Sequence, residues 1–181
     1  LDNGIVRSNM EDDPLFRRTR QHAELRLSFN SGQSDKERIE QIKEFMRLER
    51  EMLLRYHQKG DSGLRVACAR SVILDVLIQN LFSYAIEVAN ETIGKIKPMC
   101  VLATGGYGRG ELSPHSDIDL MFLYHRTAMG KSLDMLKETM TREILYPLWD
   151  TGLKVGHASR EVKEALVCLL YTSPSPRDGT K

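Results

Sequence analysis

Met99-Cys100-Val101-Leu102-Ala103-Thr104-Gly105-Gly106-Tyr107-Gly108-Arg109-Gly110-Glu111-Leu112, followed after Pro114 by Ser116-Asp117-Ile118-Asp119-Leu120-Met121-Phe122-Leu123-Tyr124, decides how this chain folds. Met99 to Thr104 is a short apolar run ending in glycines, which predicts a strand running into a loop over Gly105 to Gly110. The second run opens on two acids and is otherwise apolar, so it predicts a strand whose start stays polar while its body enters a core. Residues two apart on a strand share a face, so Asp117 and Asp119 are expected to project their carboxylates side by side while Ile118 and Leu120 anchor the strand. Hard oxygen ligands of that kind suit magnesium, which uses one or two carboxylates together with substrate phosphates. Gly105, Gly106 and Gly108 let the backbone approach a phosphate and turn N–H groups toward it, and Arg109 adds a charge-assisted hydrogen bond. The pattern points to a nucleoside triphosphate. It is not a Walker A loop, because His125 stands five residues before Gly130, nor a Rossmann fingerprint, because the third glycine of a motif starting at Gly106 falls on Glu111.

Outward from this centre, helical spacing dominates. Ser34 and Asp35 supply an N-cap, and Ile39, Ile42, Phe45, Met46, Leu48, Met52 and Leu53 recur near a helical period as far as His57. Gly60-Asp61-Ser62-Gly63 interrupts, a second helix is predicted from Leu64 to Ile93, and Gly94 with Lys97-Pro98 stops it. Ser132 to Trp149 reads as a third helix that Pro147 kinks or ends early, and Tyr146 and Trp149 on it are expected in the core. Leu153 to Ser159 alternates as a further strand would, and Glu161 to Val167 begins another helix. Residues 1–33 form a weakly structured lead or short helix with a turn at Phe29-Asn30-Ser31-Gly32, 34–96 a helical region, and 97–167 an α/β core: a small mixed sheet flanked by helices.

The chain has 181 residues, with 26 Lys and Arg against 25 Asp and Glu, so its net charge of +1 offers no bulk attraction to nucleic acid or an anionic membrane. Its three cysteines, Cys68, Cys100 and Cys168, have no paired spacing, which gives no zinc signature and fits a reducing, cytoplasmic setting. No apolar run approaches the roughly 18–20 residues of a membrane helix, and the start lacks a signal peptide. The absence of an initial methionine suggests a fragment. The stretch 168–181, Cys168-Leu169-Leu170-Tyr171-Thr172-Ser173-Pro174-Ser175-Pro176-Arg177-Asp178 onward, is similar to the translation of a transposon-derived sequencing adapter and is expected to be non-native read-through.

Gly105-Gly106-Tyr107-Gly108-Arg109-Gly110-Glu111-Leu112, Pro114 and Ser116-Asp117-Ile118-Asp119-Leu120 resemble the signature of the polymerase-beta-type nucleotidyltransferase superfamily, in the form of the bacterial PII uridylyltransferase/uridylyl-removing enzymes. Leu145-Tyr146-Pro147-Leu148-Trp149-Asp150 and Gly152-Leu153-Lys154-Val155-Gly156-His157 are similar to a second block of that family. The resemblance implies a nucleotidyltransferase fold and transfer of UMP from UTP, with loss of pyrophosphate, to a tyrosine of the PII nitrogen-signalling protein. It also implies two Mg2+ ions bridged by Asp117 and Asp119, a triphosphate lined by Gly105 and Gly106, a Ser116 hydroxyl donated to it, and a lesser part for Arg109, which has Glu111 as an alternative partner. The superfamily commonly places a third carboxylate on a neighbouring strand, where Leu153 to Ser159 holds Gly156 and His157 and no acid; the third ligand is then expected beyond the end of this sequence, or replaced by water or His157. Two rival readings stand beside this one: a related adenylyltransferase, since nothing in the sequence reads uracil from adenine, and a non-catalytic sensor module that only binds nucleotide or protein.

Overall fold

The computed structural model describes residues 13–29, 32–96, 98–125 and 131–171; the expected turn at Asn30 and Ser31 and the tail from Thr172 lie outside them. The lead contains a helix, α1 (Pro14–Arg26), with Asp13 capping it by accepting from the Leu15 N–H and proline in its first turn. Next is α2 (Asp35–Gln58), which starts on a reciprocal cap in which Ser34 accepts from the Glu37 N–H and Glu37 accepts from the Ser34 N–H.

The spine of the molecule is α3 (Gly63–Ile93), capped by Ser62 and closed by Gly94 at φ 83°. By length and composition this helix is apolar enough to cross a membrane, which corrects the sequence expectation, but half of its most apolar window is buried within the fold. Ile73, Leu74, Leu77 and Leu81 form the centre of that packing, with α1, α2 and α5 (Lys131–Met140) laid against the same helix.

The sheet has three strands in the order β1 (Met99–Thr104), β2 (Ile118–Tyr124), β3 (Val155–Glu161). β1 and β2 run antiparallel and β2 and β3 parallel, so the sheet is mixed as the sequence implied. On β2 the side chains alternate: Ile118, Leu120, Phe122 and Tyr124 are buried toward the helices, whereas Asp119 is exposed. Between β1 and β2 the chain does not form the expected open loop; Gly105–Gly108 makes one helical turn, α4.

The predicted third helix is divided. After α5, residues Thr141–Leu145 widen into a π-helical turn, and α6 (Tyr146–Asp150) follows with Pro147 in its first turn. Proline has no N–H to give the preceding turn and its ring crowds that turn's carbonyls, so the wide turn sits where a regular helix is least tolerated. The last helix, α7 (Val162–Tyr171), contacts β3 and β2 and runs past the boundary expected at Cys168. One buried ion pair ties the helical region to the core: Arg38 of α2 reaches Glu143 of the π turn at 2.8 Å, both about 5 % exposed, and lies 4.0 Å over the Tyr84 ring.

Candidate active site

Asp119 occupies the second position of the central strand, paired with Thr104 of β1 on one side and Gly156 of β3 on the other. Directly paired residues share a face, so those three positions form a row on the open side of the sheet. The row has room for the carboxylate only because two of its neighbours lack side chains. A methyl group built on Gly105 would stand 2.9 Å from one Asp119 oxygen, and one built on Gly156 would stand 2.8 Å from the other. Gly105 also holds φ at 60°, a conformation that side-chain-bearing residues rarely adopt. The carboxylate therefore lies against the start of the glycine turn, as the sequence reading required.

Asp117 departs from expectation. It precedes the strand, which opens at Ile118 where the Ile118 N–H donates to the Lys154 carbonyl at 2.8 Å. The period-two argument therefore does not place its carboxylate beside that of Asp119. Both side chains are exposed, and among the described residues neither carboxylate accepts a hydrogen bond or joins an ion pair. Unpartnered carboxylate oxygens open to solvent are the donor set a hard divalent cation takes. Among the described residues no cluster of three or more His, Cys, Asp or Glu is placed to hold a metal.

β3 runs two residues further than predicted and so ends on an acid, but Glu161 pairs with Tyr124, five positions along the strand from Gly156. At about 3.3 Å per residue that is about 16 Å from Asp119. His157 pairs with Leu120 and so belongs to the opposite, core-side face, where its ring lies 5.9 Å from that of Trp149. It does not stand in for a third ligand. Trp149 and Tyr146 are 39 % and 51 % exposed rather than core residues, because the Trp149 indole N–H is taken by the Val155 carbonyl at the rim of the sheet.

The remaining residues of the glycine turn hold it together from within. Arg109 donates to the Gly105 carbonyl at 3.1 Å and lies 4.0 Å from Glu111, while the Ser116 hydroxyl donates to the Ser113 carbonyl at 2.9 Å. Gly108 packs its α-carbon so tightly on β1 that an added methyl would meet the Ala103 carbonyl oxygen at 2.7 Å; Gly106 has ordinary clearance. Two anchors that sequence reasoning missed come from α3. The Tyr107 hydroxyl donates to Asp75 at 2.8 Å, and the Leu112 N–H donates to the Ser71 hydroxyl oxygen at 3.1 Å. Burial, reinforced by the Asp75 carboxylate, pushes the Tyr107 phenol far above its ordinary value, so it stays a proton donor at every physiological pH. A cavity of about 630 Å3, bordered by Arg17, Arg20, Asp75, Gln79 and Tyr107, lies behind the turn, on the side of the sheet away from Asp119.

The family model described as glutamate-ammonia ligase adenylyltransferase matches residues 32–146, a span that includes the glycine turn and both aspartates and stops short of Gly156. Curated relatives carry the name bifunctional uridylyltransferase/uridylyl-removing enzyme. That of Rhodospirillum rubrum is 42 % identical over 120 residues, which is 64 % of this chain and 12 % of the relative. That of Bradyrhizobium diazoefficiens is 54 % identical over 112 residues, 60 % of this chain and 11 % of the relative. That of Caulobacter vibrioides strain NA1000 is 39 % identical over 115 residues, again 60 % and 11 %. The chain thus spans about a tenth of the length of these relatives.

Proposed function

We propose, from the premise that this chain belongs to the glutamate-ammonia ligase adenylyltransferase family of nucleotidyltransferases, that it forms the nucleotide-transfer site of a protein uridylyltransferase. The single observation that carries the reading is the Asp119 carboxylate seated between Gly105 and Gly156, against the start of the glycine turn. The relatives' shared name supports UTP as donor, and the resemblance to PII uridylyltransferases makes a tyrosine of a PII signalling protein, in the cytoplasm, the acceptor.

In this reading Asp119, with Asp117 just ahead of its strand, would hold Mg2+, two ions by the family resemblance, and the metal would supply charge neutralisation for the triphosphate and the departing pyrophosphate. Gly105, Gly106 and Gly108 allow the triphosphate within hydrogen-bonding distance of the main chain. Arg109 sits at the rim and would exchange its contacts with Glu111 and the Gly105 carbonyl for one with phosphate, and Ser116 would turn its hydroxyl from the Ser113 carbonyl to do the same. The acceptor hydroxyl attacks the α-phosphorus, its proton goes to solvent or a base, and the bond to the β-phosphate oxygen breaks.

The matching family model is described as an adenylyltransferase while the relatives are uridylyltransferases, so adenylyl transfer is the second reading, and both are decided by one assay. Pyrophosphate release by the full-length protein is measured with UTP, ATP, GTP and CTP, with and without the PII acceptor and Mg2+. UTP is expected to be preferred, and Asp119→Asn is expected to lower turnover more than about 100-fold at an unchanged melting temperature. A fully active Asp119→Asn protein would refute the site; a preference for ATP would replace uridylyl with adenylyl.

A further inference from the structure

The glycine turn is seated on β1 at Gly108 and buried at Tyr107 and Gly110, but packing does not surround it. On the side away from Asp119 it borders a cavity of about 630 Å3, continuous in lining with a smaller one of about 120 Å3 between α3 and the β1–β2 face. Beside that open space the turn is held by packing on one side only, yet a phosphate cradle works only if its N–H groups are fixed before the ligand arrives. Two hydrogen bonds from one face of α3 supply the missing support. Ser71 and Asp75 lie four residues apart, one helical turn, and receive the Leu112 N–H and the Tyr107 hydroxyl respectively.

Each bond suits a fixed strut. Ser71 is 2 % exposed and donates its own proton to the Ala67 carbonyl at 3.2 Å, which points its lone pairs outward at Leu112. Tyr107 is 4 % exposed and Leu112 fully buried, so neither donor has water to turn to if its acceptor is lost. The two contacts bracket Gly108, whose close seat on the Ala103 carbonyl fixes a third point on β1. Helix, strand and turn meet at three places, and the glycines between them are left with one arrangement.

We propose that Asp75 and Ser71 are positioning residues for nucleotide transfer, clamping the glycine turn through Tyr107 and Leu112 so that its N–H groups are set for the triphosphate; this rests on the transfer reading above. Neither touches substrate. Their loss acts on triphosphate binding first, because a turn free to sag into the cavity must be reordered each time the ligand binds.

The test compares Tyr107→Phe, Asp75→Ala, Asp75→Asn and Ser71→Ala in the full-length protein by two measurements. Steady-state pyrophosphate release separates KM for the triphosphate from kcat, and amide hydrogen exchange follows residues 105–112 against residues 118–124. Tyr107→Phe and Asp75→Ala are expected to raise KM roughly 10-fold, with kcat within about twofold, and to speed exchange in 105–112 alone. Asp75→Asn keeps an oxygen to accept from Tyr107 and is expected to return KM to within about threefold of the unmodified protein. The Asp75→Ala/Tyr107→Phe double variant is expected to be no worse than either single one.

A merely structural role would lower melting temperature and the active fraction, and hence apparent kcat, at an unchanged KM. Tyr107→Phe removes one oxygen and adds no bulk, so it decides the matter even if Asp75→Ala does not fold. Unaltered KM and exchange in Tyr107→Phe, or an Asp75→Asn protein as impaired as Asp75→Ala, overturns the proposal. If the unmodified protein releases no pyrophosphate from any triphosphate, the transfer reading fails instead, and hydrogen exchange still reports whether α3 clamps the turn.

Discussion

Replacing Gly156 by alanine is expected to separate activity from stability. An alanine methyl at this position would stand 2.8 Å from an Asp119 oxygen, about 0.6 Å short of ordinary contact at 3.4 Å. Something must move, and the freest party is the exposed carboxylate, the far end of a rotatable side chain. The added methyl pushes it from the Gly156 side, so it tilts out of the seat between the two glycines. Displacements of about 1 Å in a reacting constellation cost roughly 100-fold, so a shift of about 0.6 Å predicts kcat lower by roughly 10- to 100-fold. Stability moves the other way. Gly156 is not among the glycines with positive φ, and alanine is favoured over glycine within a strand by roughly 0.5–1 kcal/mol through backbone entropy. Pyrophosphate release and a thermal melt of the same full-length preparation test both halves. Full turnover in Gly156→Ala, or a loss of activity that tracks a fallen melting temperature, would refute the account of how the carboxylate is seated.

Gly108→Ala is expected to behave oppositely, because its methyl would strike the backbone oxygen of Ala103 at 2.7 Å and a main-chain carbonyl in a paired strand does not swing aside. A loss on the order of 1–3 kcal/mol should appear in urea denaturation before any kinetic effect is considered, and an unchanged midpoint would contradict the packing described. Arg38→Met leaves Glu143 buried with a diminished partner set and is expected to lose about 3–5 kcal/mol, whereas Arg38→Met/Glu143→Met should recover most of it. Equal losses in the single and double variants would show that the ion pair is not what joins α2 to the π turn.

The first two strands were legible because their signals are local: a short apolar run between Pro98 and the glycines, and two acids opening an otherwise apolar run. The start of α2 was legible for the same reason, since Ser34 caps within three residues of itself. What the sequence concealed depends on partners far along the chain. The start of β2 is set by Lys154, which leaves Asp117 outside the strand. Tyr107 and Leu112 find their acceptors 32 and 41 residues earlier. Gly156 reads alone as an ordinary strand glycine, and its significance emerges only when parallel pairing brings it level with Asp119. Trp149 and Tyr146 were misassigned because helical spacing identifies a stripe but not whether anything covers it.

The acid-bearing strand is the middle one of three, hydrogen-bonded along both of its edges in opposite senses. A displacement of that strand by one residue would drive Asp119 into the apolar interior and expel Leu120 into water, and either neighbour alone opposes it. As to which face of the sheet it takes, Asp119 thus has two positions only, outward or wholly inverted, according to the register of its strand. Damage to distant packing should accordingly reduce the number of working molecules while each survivor turns over at its full rate.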